Sequence, residues 1–379
     1  MPLPYLVSTM PLSRRHLLHS LTLGSSATIA AATWPRSAQS QETAQEPSLE
    51  PYLWSLMSVW DTDSFIYGYL ERFVSLVEQQ TQGQLQIRLV RPRDPRECLT
   101  EVGSGKIQMG HGMPLLWESQ LPAAPYFMAV PFGLTAAEQW LWLTQGGGQD
   151  LADEVYGSVG CKYFPGGNLG FGGGGWFKAE VTDLSALEGL PVHSSGLAAA
   201  VWQALGAQVV TLPLPELQRQ FATDRLGAAE YVGPDQDLLA NLHRSAPFYY
   251  FPSWQRPGTL LDFFIHRETW LALPPSLQSV LETAILSFNQ SMLNEQTYRN
   301  QQALQRLTTQ EGVQVRRFPD SVLLRLESVT GSLLRERAGA NPQVAKVIDH
   351  LIGFRAAQLP WVQTVEVSYL NSRRWTWTR

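Results

Sequence analysis

Glu230 stands in Ala228-Ala-Glu-Tyr-Val-Gly-Pro234, an apolar run closed by a turn signal. A carboxylate in so apolar a strand needs a partner: a cation, a basic side chain or a hydrogen-bond donor on a ligand. A salt bridge at the strand end would meet the same need without any binding role. Arg256 lies in Pro252-Ser-Trp-Gln-Arg-Pro-Gly258, a short aromatic turn. Its planar fork suits a carboxylate, that of Glu230 or that of a ligand; simple solvation is the alternative. His193 ends the pattern Pro191-Val-His193 at the entrance to a helix, where ligand sites form in α/β folds. His111 sits inside a strand pattern and reads as structural.

Upstream runs Tyr163-Phe-Pro-Gly-Gly-Asn-Leu-Gly-Phe-Gly-Gly-Gly-Gly-Trp-Phe177, which contains Asn168, Gly172 and Trp176. Gly170 to Gly175 match G-x-G-x-x-G. A dinucleotide fingerprint has to open a helix near the first βα unit. Here Trp-Phe and a polar turn follow, in mid-chain, so a glycine-rich crossover or ligand-facing loop is the better reading. No Walker A, H-E-x-x-H or G-x-S-x-G pattern occurs. Cys98 and Cys161 are 63 residues apart and have no zinc-ligand spacing. A disulfide and two free buried thiols both remain open.

The elements that must position these groups follow from the hydrophobic patterns. Tyr52 to Trp60 reads as a strand, Phe65 to Gln80 as an amphipathic helix, Leu85 to Val90 as a strand, Pro95 to Val102 as a helix and Ile107 to His111 as a strand. That alternation is the signature of an α/β lobe with mainly parallel strands. Ala129 to Leu134 and Val159 to Phe164 are predicted strands, with helices over 136–143 and 150–156 between them. A second lobe begins near residue 164. It holds predicted strands at 191–193, 208–212 and 228–232 and helices at 196–205 and 215–223. Phe248 to Pro252 and Leu260 to Ile265 are strands placed to return the chain to the first lobe. Pro274 to Gln305 is one long helix able to brace both lobes, followed by helices over 322–338 and 343–356.

Composition bounds the rest. The chain has 379 residues, 44% of them hydrophobic, with 13 Trp, 25 Pro and a formal charge of −5. That is enough for two domains with packed cores. No basic run exceeds two residues, and the net charge has the wrong sign for a nucleic-acid partner. Ser13-Arg14-Arg15-His16-Leu17-Leu18 opens a twin-arginine pattern, followed by a moderately apolar stretch and the small residues Ser37-Ala38. This is the order of an export signal, with the arginine pair pointing to the Tat route. Residues 1–38 are the expected signal and 39–51 a polar linker. Three arginines and no acid leave with the signal, taking the charge from −5 to −8.

These segments, in this order, resemble the solute-binding proteins of TRAP transporters, the DctP-type family, in the branch for monocarboxylates and 2-oxo acids. The resemblance is carried by Ser104 to His111, Val130 to Thr135, Gly146 to Gly148, Phe164 to Gly170 with Gly174 to Phe177, Leu187 to Leu190, Leu205 to Ala207, Ala228 to Glu230 with Val232 to Pro234, and Tyr250 to Trp254 with Pro257-Gly258. It implies a two-lobed, periplasmic-binding-protein-like α/β fold of type II kind. The expected division is 52–163 with 252–290 in the first lobe, 164–251 with 291–350 in the second, and a C-terminal helix over 351–379. A small organic acid would be held between the lobes and delivered to a membrane permease, without catalysis. The resemblance also implies an arginine on the ligand carboxylate, a Na+ or Ca2+ ion bridging ligand and protein, and dimerisation through the C-terminal helix.

The chain departs from that pattern at the site. His193 replaces the family arginine, Gly172 replaces a glutamine, Tyr231 replaces a tryptophan after the glutamate, and Arg256 replaces an acid. Leu115-Leu116 replace an aromatic pair before Trp117. Glu230 is the one metal-ligating side chain retained. The expected ligand-binding residues are His193, Glu230, Tyr231, Asn168, Trp176, Arg256 and Gly172. The alternative to a transport subunit is a binding module of altered specificity that serves a sensor or takes a less acidic solute; an exported enzyme is a third reading.

Overall fold

The computed structural model describes residues 50–373. The expected export signal and most of the linker lie outside the described residues. Two sheets organise the chain. The first contains β1 (Tyr52–Ser58), β2 (Leu85–Val90), β3 (Met109–Gly112), β4 (Cys161–Asn168) and, from much later in the chain, β10 (Leu260–His266). The second contains β5 (Gly175–Phe177), β6 (Pro191–His193), β7 (Gln208–Val210), β8 (Ala228–Ala229), β9 (Phe248–Phe251) and β11 (Gln314–Arg317). The strand orders are β2-β1-β3-β10-β4 and β11-β9-β5-β8-β6-β7. β1 is parallel to β2 and β3, and β6 is parallel to β7 and β8. The late strands β10 and β9 run antiparallel to their earlier neighbours.

Local sequence explains the well-formed elements. The helix Phe65–Gln80 begins where the Ser64 hydroxyl accepts from the Ile66 amide, and it buries Ile66, Tyr69, Leu70, Phe73 and Val77 at three- and four-residue spacing. The helix Ala136–Thr144 begins in a capping box between Thr135 and Glu138. Strand alternation places the two faces of the second sheet in separate cores: Trp176, Ala229 and Tyr249 on one side, Phe177, Ala228 and Tyr250 on the other. His111 is structural, as expected. Its Nδ1 accepts from Trp60 Nε1 at 2.9 Å and its Nε2 meets the Gly166 carbonyl at 2.7 Å, an arrangement that only the neutral ring satisfies. Cys98 and Cys161 are free, buried thiols. Asp262 on β10 is fully buried beside them, its Oδ2 accepting from Trp117 Nε1 at 2.7 Å and Tyr156 Oη at 2.5 Å.

Four stretches differ from expectation. Ala129 to Leu134 forms no strand: Pro131 has no amide to give, Gly133 bonds back to Val130, and Phe132 takes a φ of +54°. β4 continues through Pro165-Gly166-Gly167 to Asn168 and pairs with β10, so residues 164–168 belong to the first sheet. β9 stays in the second sheet between β5 and β11, and only β10 returns to the first. The helix Pro342–Trp361 packs Val344, Val347, Ile348 and Leu351 into the core of the first lobe with Trp142 and Tyr156, although it lies beyond the second-lobe helix Asp320–Ala340.

Two extended crossovers, residues 169–174 and 252–259, join the sheets and run side by side. Leu169 N donates to Thr259 O at 2.9 Å, Gly174 N to Tyr250 O at 2.7 Å, and Gln255 Nε2 to Gly173 O at 2.7 Å. The helix Pro275–Thr309 lies along both lobes. Leu281, Ile285, Phe288 and Met292 enter the first core, and Leu307 enters the second. Asn300 on the same helix accepts from the Asp235 amide.

Candidate functional site

The carboxyl ends of the parallel strands β6 and β8 lie side by side, and the crossover 252–259 passes beside them. β6 ends at His193 and β8 leads directly into Glu230, whose amide donates to the His193 carbonyl at 3.0 Å. Both side chains are buried. Glu230 Oε2 accepts from Ser194 Oγ at 2.8 Å and Oε1 from Trp202 Nε1 at 2.7 Å. Burial pushes the Glu230 carboxyl above its ordinary range; the nearby Arg256 charge and these two donors oppose the rise without cancelling it.

Arg256 is half-buried, and its Nη2 donates to the Tyr231 carbonyl. It forms no salt bridge among the described residues, and the Ser253 hydroxyl fixes its own carbonyl at 2.9 Å. The turn after Tyr231 is held by Asp237, whose Oδ1 accepts from the amides of Val232 at 3.1 Å and Gly233 at 3.0 Å. Asp237 Oδ2 accepts from Trp176 Nε1 at 2.9 Å and Tyr249 Oη at 2.8 Å. His193 Nδ1 accepts from the Leu212 amide at 3.2 Å, which puts the ring proton on Nε2. Burial first, and the Arg256 charge second, push its pKa down to about 4, so the ring is neutral near pH 7.

The structure thus brings His193, Glu230, Tyr231 and Arg256 together. Gly172 lies on the other crossover against the same turn; a Cβ there would come within 2.5 Å of the Val232 carbonyl. Trp176 is fully buried, stacked on Tyr249 with ring centroids 4.1 Å apart, and shapes the turn through Asp237. Asn168 ends β4, donating to Gln139 Oε1 at 2.8 Å and accepting from the Gly170 amide at 2.8 Å, so it fixes the start of the crossover. Sequence reasoning missed Ser194 and Trp202 as partners of Glu230. It also missed Trp254, which is buried with its indole N–H lacking an acceptor among the described residues. Trp254 stacks on Phe132 from the first lobe and meets Trp202 edge-on. Leu115, also from the first lobe, faces Gly196 at the head of the helix after β6. The residues named here therefore come from both lobes.

A two-lobed α/β chain with polar groups gathered at strand ends beside its crossovers defines a binding protein. Residues 56–338 match the model of the bacterial extracellular solute-binding proteins, family 7 (DctP), and the chain belongs to that family. It is 28% identical over 363 residues to the monocarboxylate 2-oxoacid-binding periplasmic protein of Nostoc sp. strain PCC 7120, covering 95% of this chain and 98% of that one. Among solved structures it resembles a TRAP periplasmic solute-binding protein of Pseudoalteromonas atlantica T6c with bound sodium and pyruvate. The identity is 31% and the TM-score 0.78, covering 85% of this chain and 99% of that one. A counterpart from Colwellia psychrerythraea with bound calcium and pyruvate matches at 31% identity and TM-score 0.79, with the same coverage. No helix among the described residues is long and apolar enough to cross a membrane.

The bound cations of those relatives pose a fit test for this site. Among the described residues no three His, Cys, Asp or Glu side chains cluster closely enough to hold a metal ion. Glu230 is the carboxylate at the strand end, and each of its oxygens already accepts a hydrogen bond; both oxygens of Asp237 are spent on holding the turn. The Tyr231 carbonyl is taken by Arg256. Calcium calls for about six to eight oxygen ligands. The donor set here does not fit one.

Proposed function

We propose that this chain is the exported solute-binding subunit of a TRAP-type transporter and that it captures a small monocarboxylate, a 2-oxo acid foremost, between its lobes. The observation that carries this reading is Arg256: a half-buried guanidinium beside two strand ends that makes no salt bridge among the described residues and meets Glu230 only through its field. A charge taken partly out of water calls for a counter-charge, and a planar fork with free N–H groups matches a carboxylate in two-point fashion. The neutral His193 Nε2–H and the unpaired Trp254 N–H are then the donors for the remaining ligand oxygens. Asn168, Trp176 and Gly172 set the path of the crossovers rather than touching the solute. Lobe closure about residues 169–174 and 252–259 buries it, and a permease receives it chemically unchanged.

The twin-arginine pattern at Arg14-Arg15 supports export by the Tat route. The exposed apolar side chains of the C-terminal helical segment support homodimerisation. The test of the solute class is calorimetric titration of the mature protein with pyruvate, longer 2-oxo acids, hydroxy acids and their neutral amides. Saturable binding of acids but not amides is expected. Binding of none of the acids, or equal binding of the amides, overturns the reading.

A further inference from the structure

We infer that Arg256 takes the place of a bound metal ion, so that this chain recognises its carboxylate solute through a cation built into the polypeptide and takes up no Na+ or Ca2+ with it. The inference rests on the carboxylate reading above and concerns how the charge is met.

Three positions decide it. At residue 230 the carboxylate is retained, but both oxygens are engaged by neutral donors, Ser194 Oγ and Trp202 Nε1, at 2.8 and 2.7 Å. At residue 231 the backbone carbonyl, an oxygen suited to a hard cation, accepts from the Arg256 guanidinium instead. At residue 172 there is no side chain to supply an oxygen, and the Val232 carbonyl, 2.5 Å from where a Cβ would stand, closes that side. A metal ion entering here would meet one carboxylate, a carbonyl already in use and a fixed positive charge.

The guanidinium meets both requirements that an ion would. Its field reaches Glu230 and favours the ionised carboxylate. It has five N–H groups in a rigid fork, so those not spent on Tyr231 can grip a ligand carboxylate directly. Its position is set by the chain: Arg256 sits on the crossover 252–259, which Gln255 and Ser253 anchor at 2.7 and 2.9 Å. The same charge lies close enough to His193 to help keep that ring neutral, so the site carries one permanent cation rather than two competing ones.

The test uses the mature chain, stripped with a chelator and exchanged into choline buffer. Pyruvate is titrated calorimetrically with chelator present, with Na+ and with Ca2+, at constant ionic strength. Ca2+ is also titrated alone. Affinities equal within about twofold across the three buffers are expected, since screening is held constant. Arg256→Gln should weaken pyruvate by about 100-fold or more, the scale of losing one partner of a desolvated charge pair. Arg256→Lys, which keeps the charge and loses the fork, should retain cation-independent but weaker binding. Tenfold or greater weakening on removing Na+ and Ca2+ overturns the inference, as does saturable Ca2+ binding by the wild-type protein alone or undiminished pyruvate binding by folded Arg256→Gln. Should no carboxylate bind in any buffer, the solute class fails, and the Ca2+ titration still decides the question of the ion.

Discussion

At the scale of single residues, ionisation states decide what the site can do. His193 stands where the resemblance places an arginine on the ligand carboxylate, yet its pKa of about 4 leaves it uncharged across the neutral range. Affinity for a monocarboxylate should therefore be flat between pH 5.5 and 8, about one unit or more above that pKa; a decline centred near pH 6.5 in a titration series would restore a charged His193. Stability responds with the opposite emphasis. His111 and His193 both titrate near 4 in the folded chain, against about 6.5 when unfolded. The unfolded chain binds their protons first, so their contribution is complete above pH 6.5 and is lost as pH falls toward 4. Asp262 runs the other way: burial raises it to about 6, so its cost is present above pH 6 and is relieved as pH falls toward 4. Asp262→Asn should gain stability relative to wild type at pH 7.5, on the order of 3 kcal/mol for a shift near two units, less whatever the Tyr156 and Trp117 bonds lose. That advantage should shrink at pH 4.5, as urea melts at the two pH values would show.

At the scale of elements, the two crossovers matter most, and they were only partly legible. The strongly periodic elements were: Phe65–Gln80 through its buried stripe, Ala136–Thr144 through its capping box, Pro275–Thr309 through a sustained helical pattern. Pro165-Gly166-Gly167 looks like a turn in sequence, yet it continues β4, where the Asp262 backbone of β10 leaves no room for a side chain at Gly166 and Met292 and Phe288 of the long helix leave none at Gly167. Ala129 to Leu134 has strand composition but lies where Trp254, not a strand, offers it a hydrogen-bond partner. The need of Glu230 for a buried partner was legible from polarity against context. Its partners Ser194 and Trp202 were not, because nothing local ties residues 28 and 36 positions away to one carboxylate. Gly172→Ala tests the crossover directly. Its Cβ would press on a backbone carbonyl that no rotamer change relieves, so a loss of about 1–3 kcal/mol in melts and weaker solute binding are expected; an unchanged variant would show that the crossover has slack.

At the scale of the whole molecule, the long helix and the C-terminal helices tie the lobes in an order that sequence does not advertise. The chain leaves the second lobe through Asp320–Ala340 and packs Pro342–Trp361 against the first. Beyond Leu351 nothing described is buried, and Leu359, Trp361, Val365, Val367, Tyr369 and Leu370 are exposed. Such a run of exposed apolar side chains fits the proposed homodimer contact. A dimer is expected by light scattering after size exclusion. Removal of residues 357–379 should give a monomer that keeps its solute affinity; a full-length monomer at high concentration would refute the arrangement.

Arg256 also has an environmental consequence. A receptor that must collect a metal ion with its cargo is tuned to the mineral content of the water outside the cell. One whose positive charge is encoded, and pinned to a backbone carbonyl on its own crossover, would depend on no particular ion and would feel the salt around it only through screening.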